Sequence, residues 1–182
     1  MKTIVLKMLL CQLACILISM TCEGQIGTRF PSEKKIVEDP VTGVDLVFLT
    51  STPAGDTKIY PTHNQWTSDG EWLIFRSDRV KGEAMAVNEK TGDIVQVTEG
   101  GYTGTLCVAR KSMRLFYMKK KEDASENAGR QIIEVDLETL FKHSKAGSIK
   151  AATVYQRVCG TLPEEMDAES DMALDAEIGR AS

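Results

Sequence analysis

The chain has 182 residues, with 26 acidic against 22 basic side chains and a net charge of −4 at pH 7. That length serves a single domain. Its one basic block, Lys119-Lys120-Lys121, sits in a polar stretch and reads as a solvated loop tip, so nothing in the charge pattern points to nucleic acid.

The first residues read as a targeting segment, 1–24. Lys2 and Lys7 give a positive start, and the apolar stretch 8–20 is too short to span a bilayer comfortably. The small residues of Cys22-Glu23-Gly24 place cleavage before Gln25. The expectation is an exported protein, periplasmic or secreted, with no transmembrane span in the mature chain. The alternative is a lipoprotein acylated at Cys22 or Cys15. Of the five cysteines, only Cys107 and Cys159 then remain, and two such residues on different sheets are expected to be separate buried apolar side chains.

Further along, Thr42-Gly43 precedes an apolar strand over 44–50, followed by Thr62 and a turn at Ser68-Asp69-Gly70. Trp72-Leu73-Ile74-Phe75 is an apolar run, Ala84-Met85-Ala86-Val87 follows a turn, and Ile94-Val95-Gln96-Val97 alternates after Thr91-Gly92. Four short strands in about 40 residues is the period of a propeller blade. Asp69 is expected to hold its turn by bonding nearby backbone.

The pattern then repeats. Leu115 stands 42 residues after Leu73 and Val135 stands 48 after Val87, with the extra residues in the polar stretch 119–130. Upstream, Thr42 stands 49 residues before Thr91, so 44–50 reads as a lone outer strand of the kind a closed propeller uses to complete its last blade. A short helical turn is expected only near 138–143. Ser170-Asp171-Met172-Ala173-Leu174-Asp175 reads as the inner strand of a third blade.

The expected fold is therefore all-β, a partial β-propeller over 25–182. It has complete blades near 62–101 and 102–158, an outer strand, and a third blade begun at 159–182. Propellers need at least four blades, so the chain is expected to be a truncated product of a larger gene, or one with an altered reading frame at its end.

The order of Asp39-Pro40-Val41-Thr42-Gly43, Thr67-Ser68-Asp69-Gly70-Glu71-Trp72-Leu73-Ile74-Phe75, Val97-Thr98-Glu99-Gly100 and Glu134-Val135-Asp136-Leu137-Glu138-Thr139-Leu140 resembles the oligogalacturonate lyases. These are seven-bladed propellers related to TolB-like repeat proteins. The resemblance runs from about Val37 to Asp175. It implies β-elimination from pectic oligogalacturonides, with a histidine and an arginine for the proton chemistry. It also implies a manganese-type divalent ion held by further histidines and a glutamine in later blades of the full-length family. This chain has two histidines in total, His63 and His143, too few for a metal site and a base. No catalytic residue and no metal ligand of the family is therefore carried over, and no cofactor is expected in this fragment.

What remains is a substrate channel. His63 and Asn64 are expected to begin an innermost strand facing the central funnel, and Arg76 and Arg79 to meet uronate carboxylates bidentately. The alternative readings are a hydrogen-bonded inner-strand histidine and solvated turn charges; His143 is expected on a surface loop. The leading functional expectation is an exported lyase-type propeller that is inactive as a fragment. The alternative is a non-enzymatic TolB-like propeller binding a protein or glycan. Exposed blade faces and the open strand 44–50 predict self-association.

Overall fold

The computed structural model describes residues 24–121 and 129–162. The expected leader and the strand expected near Ser170 lie outside the described residues. Eleven strands are described: β1 Arg29–Phe30, β2 Lys35–Glu38, β3 Asp45–Phe48, β4 Thr57–Lys58, β5 Trp72–Arg76, β6 Ala84–Asn88, β7 Ile94–Gln96, β8 Thr103–Val108, β9 Arg114–Lys120, β10 Arg130–Asp136 and β11 Gln156–Thr161. One α-helix, α1 Leu137–Lys145, lies between β10 and β11. It is far too short to cross a membrane, and no helix of the described residues is long and apolar enough to do so.

The strands form two antiparallel sheets, β1-β7-β6-β5-β4 and β11-β10-β9-β8, and a separate ribbon, β2-β3. The fold is all-β apart from α1, in the manner of a partial propeller. The two equivalent apolar runs fall on the equivalent second strands, β5 and β9. Alternation sends Ile74 of β5 and Leu115 and Tyr117 of β9 into one shared core with Val95, Leu106 and Val135. Neighbouring residues on the same strands face the opposite way. Phe75, Met85, Val87 and Ile94 form a second cluster on the far face of the first sheet, and Cys107, Phe116 and Met118 a third on the far face of the second. Each sheet is therefore apolar on both faces, as stacked blades require.

Several expectations need correction. The stretch 44–50 is not a lone strand: β3 pairs with β2 over four residue pairs, because Asp39, Thr42 and Gly43 close a tight turn between them. The innermost place of the first sheet is split between β4, opposite Phe75 and Arg76, and a single bridge from Trp66 to Leu73. Pro61 has no N–H for a ladder, and the chain turns away around it. The outer edge gains β1, which pairs with β7. The second sheet runs on to Thr161, so Cys159 belongs to it and not to a third blade.

The turn expected near 138–143 is a nine-residue helix. Asp136 caps it by accepting from the Thr139 N–H. Leu137, Leu140, Phe141 and Ser144 form the buried stripe, and Phe141 stacks on Trp72 of the first sheet. His143 is correspondingly not on a loop. It sits in the last turn of α1, half-buried, with Nδ1 3.1 Å from the Tyr155 hydroxyl. Of the two free cysteines Cys107 is buried, as expected, but Cys159 is exposed, since its strand is at the sheet edge.

The segment 24–30 is laced between the sheets. The Ile26 N–H donates to Glu99 Oε2 (2.8 Å), the Gly27 N–H to Gln96 O (2.9 Å), Ser144 Oγ to Gly27 O (2.7 Å) and Gln25 Nε2 to Lys150 O (3.0 Å). Ile26 is fully buried.

Candidate functional site

Antiparallel order puts the β5–β6 and β7–β8 connections at one end of the two sheets. Propeller loops gather their ligand-facing groups at such an end. Arg76 closes β5 there. Its Nη2 donates to Gly104 O at the start of the inner strand β8 (3.2 Å), while its Nε is buried and has no hydrogen-bond partner. Tyr102 stands beside it. Burial pushes that phenol up, with Glu83 and Asp78 acting in the same sense, and the Arg76 charge opposes them.

Arg79 is neither a solvated turn charge nor a free fork. Its Nη2 pairs with Glu33 (2.7 Å) and its Nη1 with Asp56. Ser77 Oγ (2.7 Å) and Thr52 Oγ1 (3.2 Å) complete the set, and the guanidinium lies 5.7 Å from the Phe75 ring centre. The side chain is only 6 % exposed. Glu33 in turn accepts from the Ser51 and Thr52 N–H groups and from the Thr52 hydroxyl. Burial alone would raise the Glu33 carboxyl, but the bonds from Arg79, Ser51 and Thr52 outweigh it and hold it at about 2. Arg79 is thus a clasp between the first sheet and the strap 49–56, with its donors directed at protein carboxylates.

Beside the clasp, a cleft of about 710 Å³ is lined by Gly24, Gln25, Lys81, Glu83 and Glu99 among others. Glu83 is buried within a loop anchor: Oε2 accepts from the Thr98 hydroxyl (2.6 Å) and Oε1 from the Gly101 N–H (2.8 Å). Burial raises its carboxyl and the Thr98 and Gly101 bonds oppose that rise. Its bonds fasten the β7–β8 connection to the start of β6.

His63 and Asn64 do not join this group. Asn64 Nδ2 donates to Trp66 O (2.6 Å) and reaches Val108 O (3.4 Å), at the far end of β8 from Gly104. Four residues of extended strand separate those ends by about 13 Å. His63 lies off the sheet in a bend, its ring edge-on to Tyr60 at 5.4 Å, with Nδ1 buried and without a partner. The four residues singled out from the sequence therefore do not converge. Glu33, Asp56 and Tyr102 were missed, since their partners lie far away in sequence.

Asp69 does hold its turn, accepting from the Glu71 N–H (3.0 Å) and the Thr67 hydroxyl (2.6 Å). Among the described residues no three His, Cys, Asp or Glu side chains converge as metal ligands.

No protein-family model and no curated protein matches the sequence. Solved structures do match. An oligogalacturonate lyase in complex with manganese superposes with a TM-score of 0.55 at 20% identity, covering 77% of this chain and 32% of that one. An oligogalacturonate lyase from Vibrio parahaemolyticus superposes with a TM-score of 0.61 at 21% identity, covering 84% and 35%. The fold is that of oligogalacturonate lyase structures. The chain spans about a third of the length of those structures, and at this identity the likeness establishes fold.

Proposed function

We propose that these two blades belong to an exported propeller of the oligogalacturonate-lyase type, where they form wall and not catalytic centre. In a complete ring of this kind, β-elimination removes the proton next to a uronate carboxylate and expels the 4-linked sugar. The step needs a base and a cationic group for the developing enolate. The observation that supports the reading is the superposition of 77–84% of the chain on oligogalacturonate lyase structures. Arg76 adds to it: a guanidinium at the loop end of the innermost strands, bonded to protein through Nη2 alone, is suited to a substrate carboxylate.

The residues at hand do not supply the base. His143 is engaged by Tyr155, and the Nδ1 of His63 is buried. The manganese named for one of the matched structures finds no convergent ligands among the described residues. Because neither histidine is placed as a free base, the chain on its own is read as inactive.

The test follows unsaturated product by absorbance, with oligogalacturonides and manganese present. No turnover by the 182-residue chain is the expected result, and clear turnover would overturn the assignment. A parallel titration with trigalacturonate should shift the Gly104 and Tyr102 amide resonances in the parent chain and not in Arg76→Ala. Identical shifts in both would remove Arg76 from the substrate wall.

A further inference from the structure

Residues 24–26 run beside two carboxylates. Glu99 Oε2 accepts from the Ile26 N–H and Glu83 Oε1 from the Gly101 N–H, both at 2.8 Å, and both side chains line one cleft with Gly24 and Gln25. Burial raises the Glu83 carboxyl, and the nearby Glu99 charge adds to the rise. The two cations on the same wall do little to offset that charge. Arg79 is committed to Glu33 and Asp56, and Lys81 is exposed, where solvent screens it.

A third acceptor points at the same segment. Gln96 is fully buried, and its Nε2 donates to Gly24 O and to Thr98 O, both at 2.7 Å. Its Oε1 is buried and has no hydrogen-bond partner. That oxygen lies against Gly24, since a Cβ built on the glycine would stand 2.2 Å from it. A buried amide oxygen without a donor costs free energy, and native proteins seldom leave one so. The donor it lacks belongs at the start of this segment.

From this we infer that the site is built to hold the α-ammonium group of Gln25. The inference rests on the leader reading, in which the Gly24–Gln25 bond is cut, and not on the lyase reading. Hydrolysis of that bond consumes one water: the new carboxylate leaves with Gly24, and the amine stays on Gln25 and takes up a proton. One residue spans at most about 3.6 Å, so the ammonium stands beside the Glu99 carboxylate that holds the Ile26 N–H. It brings three donors and a full positive charge where the Gln25 amide brought one donor and none. Gln96 Oε1 and the Glu99 and Glu83 carboxylates accept from it. Gln96 Nε2 loses Gly24 O and keeps Thr98 O. The Gln25 side chain is held apart, its Nε2 bonded to Lys150 O (3.0 Å). That arrangement opposes the ring closure open to an N-terminal glutamine, in which the uncharged amine attacks the side-chain Cδ and expels ammonia.

The test expresses the full 182-residue chain in a secreting host and sequences the product from its N-terminus. Gln25 is the expected first residue; any other, the uncut chain included, would overturn the proposal. A limiting amine reagent at pH 7 should then label the terminal amine of that product about tenfold more slowly in the folded protein than in urea, because a carboxylate beside it favours the charged, unreactive form. Glu99→Gln keeps an oxygen for the Ile26 N–H but removes the charge, and should return the rate most of the way to the unfolded value. Equal rates in folded and unfolded protein would overturn the proposal. So would slow labelling that Glu99→Gln leaves unchanged, which is shielding without pairing. Mass spectrometry gives a readout on the parent chain alone: the folded product keeps its terminal amine, and loss of ammonia from it would show an amine free to attack.

Discussion

Trp72 and Phe141 stack almost parallel, with ring centroids 4.0 Å apart and planes inclined by 11°. One ring comes from the second strand of the first sheet and the other from the helix inserted in the second, so this contact joins the two blades. Phe141→Ala removes a nearly buried ring from that seam and is expected to cost about 3–5 kcal/mol. Urea unfolding followed by tryptophan fluorescence reads it directly, because Trp72 is 8% exposed and the other tryptophan, Trp66, is 36% exposed. A loss below about 1 kcal/mol would mean that the blades are joined elsewhere.

The Arg79 clasp predicts a pH dependence. Glu33 is held at about 2 in the folded protein against an ordinary 4.5. A depressed carboxyl contributes stability that is present above its unfolded pKa and lost as pH falls toward its folded one. Thermal melts should therefore weaken progressively between pH 4.5 and about 2. Arg79→Ala should lower stability by about 3 kcal/mol at neutral pH, since it strands two partly buried carboxylates, and should flatten that acid limb. Arg79→Lys cannot fork to both carboxylates and is expected to fall between.

Asp136 serves both the helix and an ion pair. Its oxygens accept from the Thr139 N–H (3.1 Å) and hydroxyl (3.0 Å), and Oδ1 meets Arg114 Nη1 at 2.7 Å. Asp136→Ala should cost about 1 kcal/mol through the lost cap. Asp136→Asn keeps a capping oxygen and loses only a partly exposed ion pair, so its cost should stay below about 1 kcal/mol. Equal losses in the two variants, measured by chemical denaturation, would show that the cap contributes little.

The two thiols should separate cleanly. Cys159 is exposed and Cys107 buried, so a thiol reagent should modify one cysteine of the described region in the native state and the second only on unfolding. Burial, with Glu134 adding, raises the Cys159 thiol above its usual 9.0, and its Sγ–H donates to Ile132 O (3.4 Å). Its modification should therefore be slow at neutral pH and accelerate as pH rises. Fast labelling at pH 7 would contradict the assigned environment.

Apolar runs at matched spacing are enough to locate β5, β9 and β6, because a strand buried on both faces leaves a mark in local sequence, and the repeat spacing places β10, which is buried on one face only. The helix left a mark as well, Asp136 followed by apolar residues at 137, 140 and 141, which points to a helical turn near 138–143, shorter than the nine residues that form. The Arg79 clasp left none. Glu33 and Asp56 stand 46 and 23 residues away, and nothing near any of the three announces the other two. Likewise β1 has only two residues, and its strand character comes from β7 across the ladder. Pairings closed by long loops are settled by tertiary structure and stay hidden from local pattern.

The lacing of segment 24–30 imposes an order in time. Gln25 is fastened to Lys150 across 125 residues, and Gly27 to Ser144 across 117. A chain synthesised at about 5–20 residues per second makes Lys150 roughly 6–25 s after Gln25. Before that the first described residues can close only onto the stretch 94–99 of the first sheet. Their other side stays open to whatever binds the head of a growing chain, and the seam shuts only when the helix and the stretch behind it have been made.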